Sequence, residues 1–197
     1  MKTPKQRTIW LVRHGERADN IDPSWKKTAL RWDDPCLSAR GHQQAHEVGQ
    51  HLKNEKIDMV FTSPFTRCLQ TTAGILSSRS THPIIFIEPG FGESLNACMD
   101  PPGSPSDEEI EKILKTDPNY EPCFTKLPPE DGTDAGCSDR IGVTLRQILA
   151  RYPHKNILIV SHGSPIAACH LELQKSWRYV GQCTIGDNQE DTGETPS

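Results

Sequence analysis

Short apolar runs bounded by turn-forming or charged residues recur along the chain: Ile9-Trp10-Leu11-Val12, Met59-Val60-Phe61, Ile84-Ile85-Phe86-Ile87 and Ile157-Leu158-Ile159-Val160. Each is too short for a helix and rich in β-branched residues, so each predicts a strand buried on both faces. Between them the apolar positions recur at helical spacing. Leu37, Ala45, Val48 and Leu52 mark one helix face, residues 65–77 predict a second helix just after Ser63-Pro64, and residues 138–152 a third, with Ile141, Leu145, Ile148 and Leu149 three and four apart. A fourth is expected after Ser164-Pro165, where proline suits a first helical turn. Strands alternating with helices predict an α/β fold, a three-layer sandwich in which helices flank a mainly parallel central sheet.

Residues 98–137 break the alternation. They are rich in proline and acidic residues and predict an insertion packed over one end of the sheet. Ser106-Asp107-Glu108-Glu109 has capping-box form, so one short helix is expected there, stopping before Asp117-Pro118. The stretch from Gly186 to Ser197 is polar and acidic and is expected to be a disordered tail. Residues 1–185 are thus read as one domain, well within the size a single core supports in a chain of 197 residues.

Composition adds mainly exclusions. Twenty-two Lys+Arg against 26 Asp+Glu give a net charge of -4, so the chain carries no overall electrostatic footprint for nucleic acid or an anionic membrane. Any anion must be held by a local cluster. The polar N-terminus has no signal-peptide core and no apolar run approaches a membrane span, which makes a cytoplasmic location the expectation. The seven cysteines are odd in number and scattered without a Cys-x-x-Cys pair, a pattern of reduced thiols rather than of a disulfide framework or zinc site.

In open α/β sheets ligands bind beyond the carboxyl ends of the strands, so the residues that follow each apolar run carry the candidate chemistry. The first run leads into Arg13-His14-Gly15-Glu16-Arg17 and the second into Thr62-Ser63-Pro64-Phe65-Thr66-Arg67. The third leads into Glu88-Pro89-Gly90-Phe91-Gly92-Glu93 and the fourth into Ser161-His162-Gly163-Ser164. The planar fork of arginine matches phosphate oxygens, which makes Arg13, Arg17 and Arg67 a plausible clamp for a phosphoryl group. Imidazole attacks phosphorus only when neutral, and guanidiniums disfavour imidazolium, so the same arginines would serve His14 as a nucleophile. His162 could donate to the transferring group, and Gly15 would let the backbone turn sharply or approach a ligand. A carboxyl group in a water-poor pocket could protonate the leaving oxygen. Glu93 is the preferred acid, with Glu88, Asp100 and Glu16 as rivals.

Arg13-His14-Gly15, Ser63-Pro64 followed by Arg67, and Ser161-His162-Gly163 together resemble the signature of the histidine phosphatase, or phosphoglycerate mutase-like, superfamily. The resemblance runs from about Ile9 to the end of the fourth helix. Arg13 to Asp19, Glu88-Pro89-Gly90, Asp117 to Pro122 and Tyr179 to Cys183 are most similar to the Sts-type and ecdysteroid-phosphate phosphatase branch. Gly92-Glu93-Ser94 departs from it, since an aromatic often follows the acid there. The resemblance implies a phosphoglycerate mutase-like fold and a phosphomonoester hydrolase that works through a phosphohistidine on His14. It implies phosphate binding by Arg13, Arg67 and His162, proton donation by Glu93, and Arg17 and Asn20 flanking the pocket. No cofactor or metal is expected; the partner is a phosphorylated small molecule or a phosphoprotein, and the branch admits a homodimer.

Trp25 and Trp32 lie in the polar loop Ile21 to Pro35, which could rim the pocket. His42, His46 and His51 are read as a solvated helix face, because His46-Glu47 lacks zincin spacing. Ser164 is read as a helix opener, with no Gly-x-Ser-x-Gly elbow around it. Cys68 is either a packed thiol or, beside Arg67, a redox-sensitive one. Two other functions stand beside the hydrolase: a catalytically weak phosphate-binding scaffold, and a mutase or sugar-bisphosphate phosphatase. The mutase would need basic residues after the acid, and Ser94-Leu95-Asn96-Ala97-Cys98 supplies none.

Overall fold

The computed structural model describes residues 6–191. Five strands form one sheet: β1 (Gln6–Arg13), β2 (Met59–Thr62), β3 (Ile84–Ile87), β4 (Ile157–Ser161) and β5 (Ile185–Asp191), in the order β3-β2-β4-β1-β5. The first four run parallel, and β5 is antiparallel to β1.

Alternate strand residues face opposite layers, and both layers are apolar. Ile9, Leu11, Phe61, Ile157 and Ile159 point to one side. There they meet Ile141, Leu145 and Ile148 of α6 (Ser138–Arg151) and Ile166 and Cys169 of α7 (Gly163–Gln174). Trp10, Val12, Val60, Leu158 and Val160 point to the other. They pack on Val48 and Leu52 of α3 (Ala39–Leu52) and on Leu69 and Ile75 of α4 (Thr66–Leu76). The three-layer sandwich with a mainly parallel sheet is therefore the observed architecture. One strand departs from the expectation of full burial: Ile84 is half exposed because β3 forms a sheet edge.

The loop after β1 holds two single-turn helices that periodicity does not predict, α1 (Ala18–Ile21) and α2 (Trp25–Thr28). The insertion contains α5 (Asp107–Ile113), whose capping box is formed by Ser106 and Glu109. The insertion packs on the carboxyl end of the sheet. Asp33 accepts from the amides of Met99 and Gly103, and Glu88 accepts from Cys123 N and the Tyr120 hydroxyl.

The expectation of a disordered tail from residue 186 is corrected for Gly186 to Asp191, which pair with β1 from Leu11 to Gln6. Without them the outer edge of β1 would leave backbone donors and acceptors unpaired, and backbone pairing does not require apolar side chains. Residues 192–197 lie outside the described residues.

Candidate active site

Strand register brings the site together. Arg13 of β1 pairs with Ser161 of β4, and Val160 of β4 with Thr62 of β2, so the residues just beyond these positions leave the sheet at one level. The His14 amide donates to Ser161 O at 2.9 Å, the Ser63 amide to Val160 O at 3.0 Å, and the Glu88 amide to Thr62 O at 2.9 Å. Four segments therefore converge where the sequence places the chemistry. One ligating atom each from His14, Glu93 and His162 lie within 4.8 Å of one another.

His14 is 1% exposed. Its Nδ1 lies 2.8 Å from the carbonyl oxygen of Gly15; a carbonyl only accepts, so Nδ1 carries the proton and Nε2 keeps its lone pair. Burial holds its pKa well below the ordinary value, and the guanidiniums of Arg67, Arg13 and Arg17 add to the depression against the opposing Gly15 bond. The imidazole is thus neutral and presents Nε2. Gly15 serves a close approach, but to protein rather than to ligand: a Cβ there would lie 2.6 Å from Gly41 O of α3.

His162 is fully buried, its ring 5.3 Å from that of His14 and edge-on. Its Nε2 bonds the Ser63 hydroxyl at 2.8 Å, and its Nδ1 lies 3.4 Å from Glu93 Oε2. Burial, then Arg67 and His14, keep it neutral as well.

Arg67, on the first turn of α4, is 1% exposed, yet its charge is compensated. Nη1 donates to Asp33 O at 2.9 Å and lies 3.8 Å from Asp34, while Nη2 reaches Glu93 Oε2 at 3.4 Å. Its Nε has no hydrogen-bond partner among the described residues, and the same holds for Arg13 Nε. Buried guanidinium donors without partners suit an anion. Arg13 is fixed by Val180 O at 2.9 Å and by the Tyr179 ring, 4.9 Å away. Arg17 is held in a two-point pair by Asp19, both bonds at 2.8 Å.

A small cavity is lined by Arg17, Asp19, Lys26, Trp32, Arg67 and Glu93, among others. The structure brings Trp32 to it but not Trp25 or Asn20. The Asn20 carboxamide oxygen instead accepts from Arg17 N and Gln182 Nε2. Beside the cavity a wider groove of about 990 Å³ runs between Phe65, Pro89 and the insertion. Phe65 also stands edge-on to His162, with centroids 5.1 Å apart.

Of the rival acids, Glu88 and Glu16 are engaged elsewhere, while Asp100 is exposed along the wider groove. Glu88 is fully buried and accepts from Gly90 N, Cys123 N and the Tyr120 hydroxyl, whereas Glu16 pairs with Ser38 and Arg40. Burial pushes the Cys68 thiol up despite Arg67, so it stays protonated, 3.6 Å from His162 Nε2; this is a packed thiol. His42, His46 and His51 are exposed on α3. Sequence reasoning missed Asp19, Lys26, Asp33, Asp34, Arg140 and Glu130, and only the acidic pair Asp33-Asp34 stands out in sequence at all.

A model of the histidine phosphatase superfamily (branch 1) matches residues 9–182. The chain is 31% identical over 185 residues to an uncharacterized phosphatase, PhoE, of Bacillus subtilis (strain 168), covering 89% of this chain and 84% of that protein. It is 28% identical over 220 residues to human ubiquitin-associated and SH3 domain-containing protein B, covering 87% of this chain and 32% of that one. It therefore spans about a third of the length of that relative. Among solved structures, the ecdysone phosphate phosphatase of Bombyx mori superposes with a TM-score of 0.72 at 23% identity, covering 92% of this chain and 88% of that chain, a likeness of fold. The phosphoserine phosphatase of Entamoeba histolytica, solved with 3-phosphoglyceric acid, gives 0.60 at 25% identity, covering 92% and 89%. No helix among the described residues is long and apolar enough to cross a membrane. Because the match takes in β1 through α7 and every strand end that meets at His14, the chain belongs to the histidine phosphatase superfamily (branch 1).

Proposed function

We propose that this phosphatase hydrolyses phosphomonoesters with His14 Nε2 as nucleophile and Glu93 as proton donor. In the first step the Nε2 lone pair forms the bond to phosphorus, the ester P–O bond breaks, and the leaving oxygen takes a proton from the Glu93 carboxyl. In the second, Glu93 as carboxylate accepts a proton from water, whose oxygen attacks phosphorus, and His14 leaves as the neutral imidazole. Arg13, Arg17, Arg67 and His162 hold the equatorial oxygens through both steps.

The carrying observation is the His14 Nδ1 to Gly15 O bond at 2.8 Å, which leaves Nε2 unprotonated on a ring that has one nitrogen within 4.8 Å of a Glu93 oxygen and a His162 nitrogen. No metal enters these steps; His14 and Glu93 are the reacting groups. The substrate is a phosphorylated small molecule or a phosphoprotein, with Trp32 and Lys26, which line the cavity, contacting its organic part. Ser94 to Cys98 supplies no cation for a second anionic group, which supports a hydrolase over a mutase.

The test is release of 4-nitrophenol from its phosphate without added metal, in wild type, His14→Ala and Glu93→Ala. Wild-type turnover that disappears in His14→Ala, with acid-labile phosphate trapped on wild type only, supports the assignment. Turnover surviving in His14→Ala would sink the nucleophile, and a folded wild type that binds vanadate without turnover would favour a scaffold.

A further inference from the structure

Arg140 lies on α6, outside every motif that points to the site, yet it is 2% exposed and its guanidinium is spent on the segment that carries Glu93. Nη1 donates to Gly90 O at 2.7 Å and Gly92 O at 3.1 Å, and Nη2 donates to Glu93 O at 2.9 Å. Nε and Nη2 also donate to Oε1 of Glu130, at 2.8 and 2.6 Å. The other Glu130 oxygen accepts from Leu95 N at 2.7 Å and from the Ser94 hydroxyl at 3.2 Å.

The pair therefore grips the backbone on both sides of Glu93, through carbonyls up to Glu93 and through the amide and hydroxyl after it. The hold extends to the carboxyl itself, because Ser94 N donates to Glu93 Oε1 at 3.0 Å. That bond sets which oxygen, Oε2, faces His162 and Arg67. Burying a charged pair is costly, and an apolar pair could fill the same volume at no electrostatic penalty. What an apolar pair cannot do is fix three carbonyls and an amide at set positions, which the preorganised fork of arginine does.

We infer that Arg140 and Glu130 are positioning residues that hold the Glu93 carboxyl on the leaving-group oxygen, an inference that rests on the reading of Glu93 as proton donor. Neither residue lines the small cavity at Arg17, Arg67 and Glu93. Glu130 ends the proline-rich stretch of the insertion, so the insertion takes part in placing the acid.

Proton donation matters most for a poor leaving group, so the diagnostic is kcat/KM for phenyl phosphate against 2,4-dinitrophenyl phosphate, whose phenolate leaves without help. Wild type, Glu93→Gln, Arg140→Lys and Glu130→Gln are compared, with circular dichroism and thermal melts to establish folding. In Glu130→Gln the amide NH₂ replaces one acceptor oxygen, so either Arg140 or the Ser94-Leu95 side of the grip is lost with little change of shape. Both grip variants and Glu93→Gln are expected to lose at least about tenfold more on phenyl phosphate than on the dinitrophenyl ester. Equal losses on both esters in folded Glu130→Gln, with the bias retained in Glu93→Gln, would overturn the positioning role alone. Equal losses in Glu93→Gln would remove Glu93 as the donor and this inference with it. Should Arg140→Lys fail to fold, Glu130→Gln carries the result.

Discussion

The Nδ1 of His14 and the carbonyl oxygen of Gly15, its neighbour in sequence, lie 2.8 Å apart and fix the tautomer of the candidate nucleophile. Because burial and three guanidiniums together outweigh that bond, imidazolium is disfavoured below the ordinary pKa of 6.5. Attack needs the neutral form, so the acid limb of kcat/KM that reports His14 is expected well below pH 6.5. An NMR titration of the His14 Cε1 proton checks the origin of the limb directly. A His14 resonance that titrates at its ordinary value would contradict the electrostatic account.

The same depression has a consequence for stability. In the unfolded chain His14 and His162 bind protons as the pH falls through about 6.5, whereas in the folded chain both stay neutral to lower pH. The unfolded state then binds more protons, so stability falls as pH drops from about 6.5 toward the folded pKa values. Thermal melts from pH 7.5 to 5 should show a declining midpoint, and His162→Asn should flatten the decline. An unchanged slope in that variant would mean that His162 does not carry the acid sensitivity, leaving it to His14 and the other titratable groups.

Gly15 and Gly41 let the loop after β1 lie directly on α3. A Cβ on Gly15 would meet Gly41 O at 2.6 Å, and one on Gly41 would meet Glu16 O at 2.1 Å. Both obstacles are backbone and cannot rotate away. Gly41→Ala is expected to cost about 1–3 kcal/mol, measured by denaturant unfolding. Activity should fall as well, since Glu16 accepts from Ser38 on the α3 side of the contact and the shift passes to His14.

Arg67→Lys keeps the charge and loses the fork. Lysine cannot reach Asp33 O, Asp34 and Glu93 together, and it presents no planar pair of donors to a phosphoryl group. A fall in kcat of about 10²- to 10³-fold is expected, by analogy with removing one donor to a developing charge. Weaker inhibition by orthovanadate should accompany it. An effect confined to KM would mean that Arg67 binds ground and transition states alike.

His14, Arg67 and His162 are legible in the sequence because each follows an apolar run by a few residues, and parallel register carries that spacing into space. Arg140 and Glu130 are not legible, because they act on backbone carbonyls and amides that no side-chain pattern records. Asp33 is a similar case: its main-chain oxygen holds Arg67 while its carboxylate holds the insertion. The sandwich was readable from Ile157 to Val160 and its counterparts, since burial on both faces demands apolar runs. Strand β5 was not, since its polar residues contribute mainly backbone pairing to the edge of β1. Trp25 and Trp32 look equivalent in sequence. Only the path of the loop through α2 separates them, bringing Trp32 to the cavity and leaving Trp25 off it.

Glu88, five residues before Glu93 and its rival in the sequence reading, has its carboxylate taken up by the fold. Its fully buried carboxylate accepts from Gly90 N at 2.7 Å, the Tyr120 hydroxyl at 2.6 Å and Cys123 N at 2.9 Å, joining the insertion to the turn after β3. An amide in its place keeps one acceptor and turns an NH₂ toward donors, so Glu88→Gln is expected to cost about 1–3 kcal/mol in urea unfolding. Tyr120→Phe removes one donor and should cost about 1 kcal/mol, and the double variant should cost less than the sum because both act on one bond. Additive losses would mean that the hydroxyl and carboxylate are energetically independent despite their separation. Glu88→Gln should also keep the wild-type preference between phenyl and dinitrophenyl phosphates. A leaving-group bias like that expected of Glu93→Gln would instead make Glu88 the proton donor.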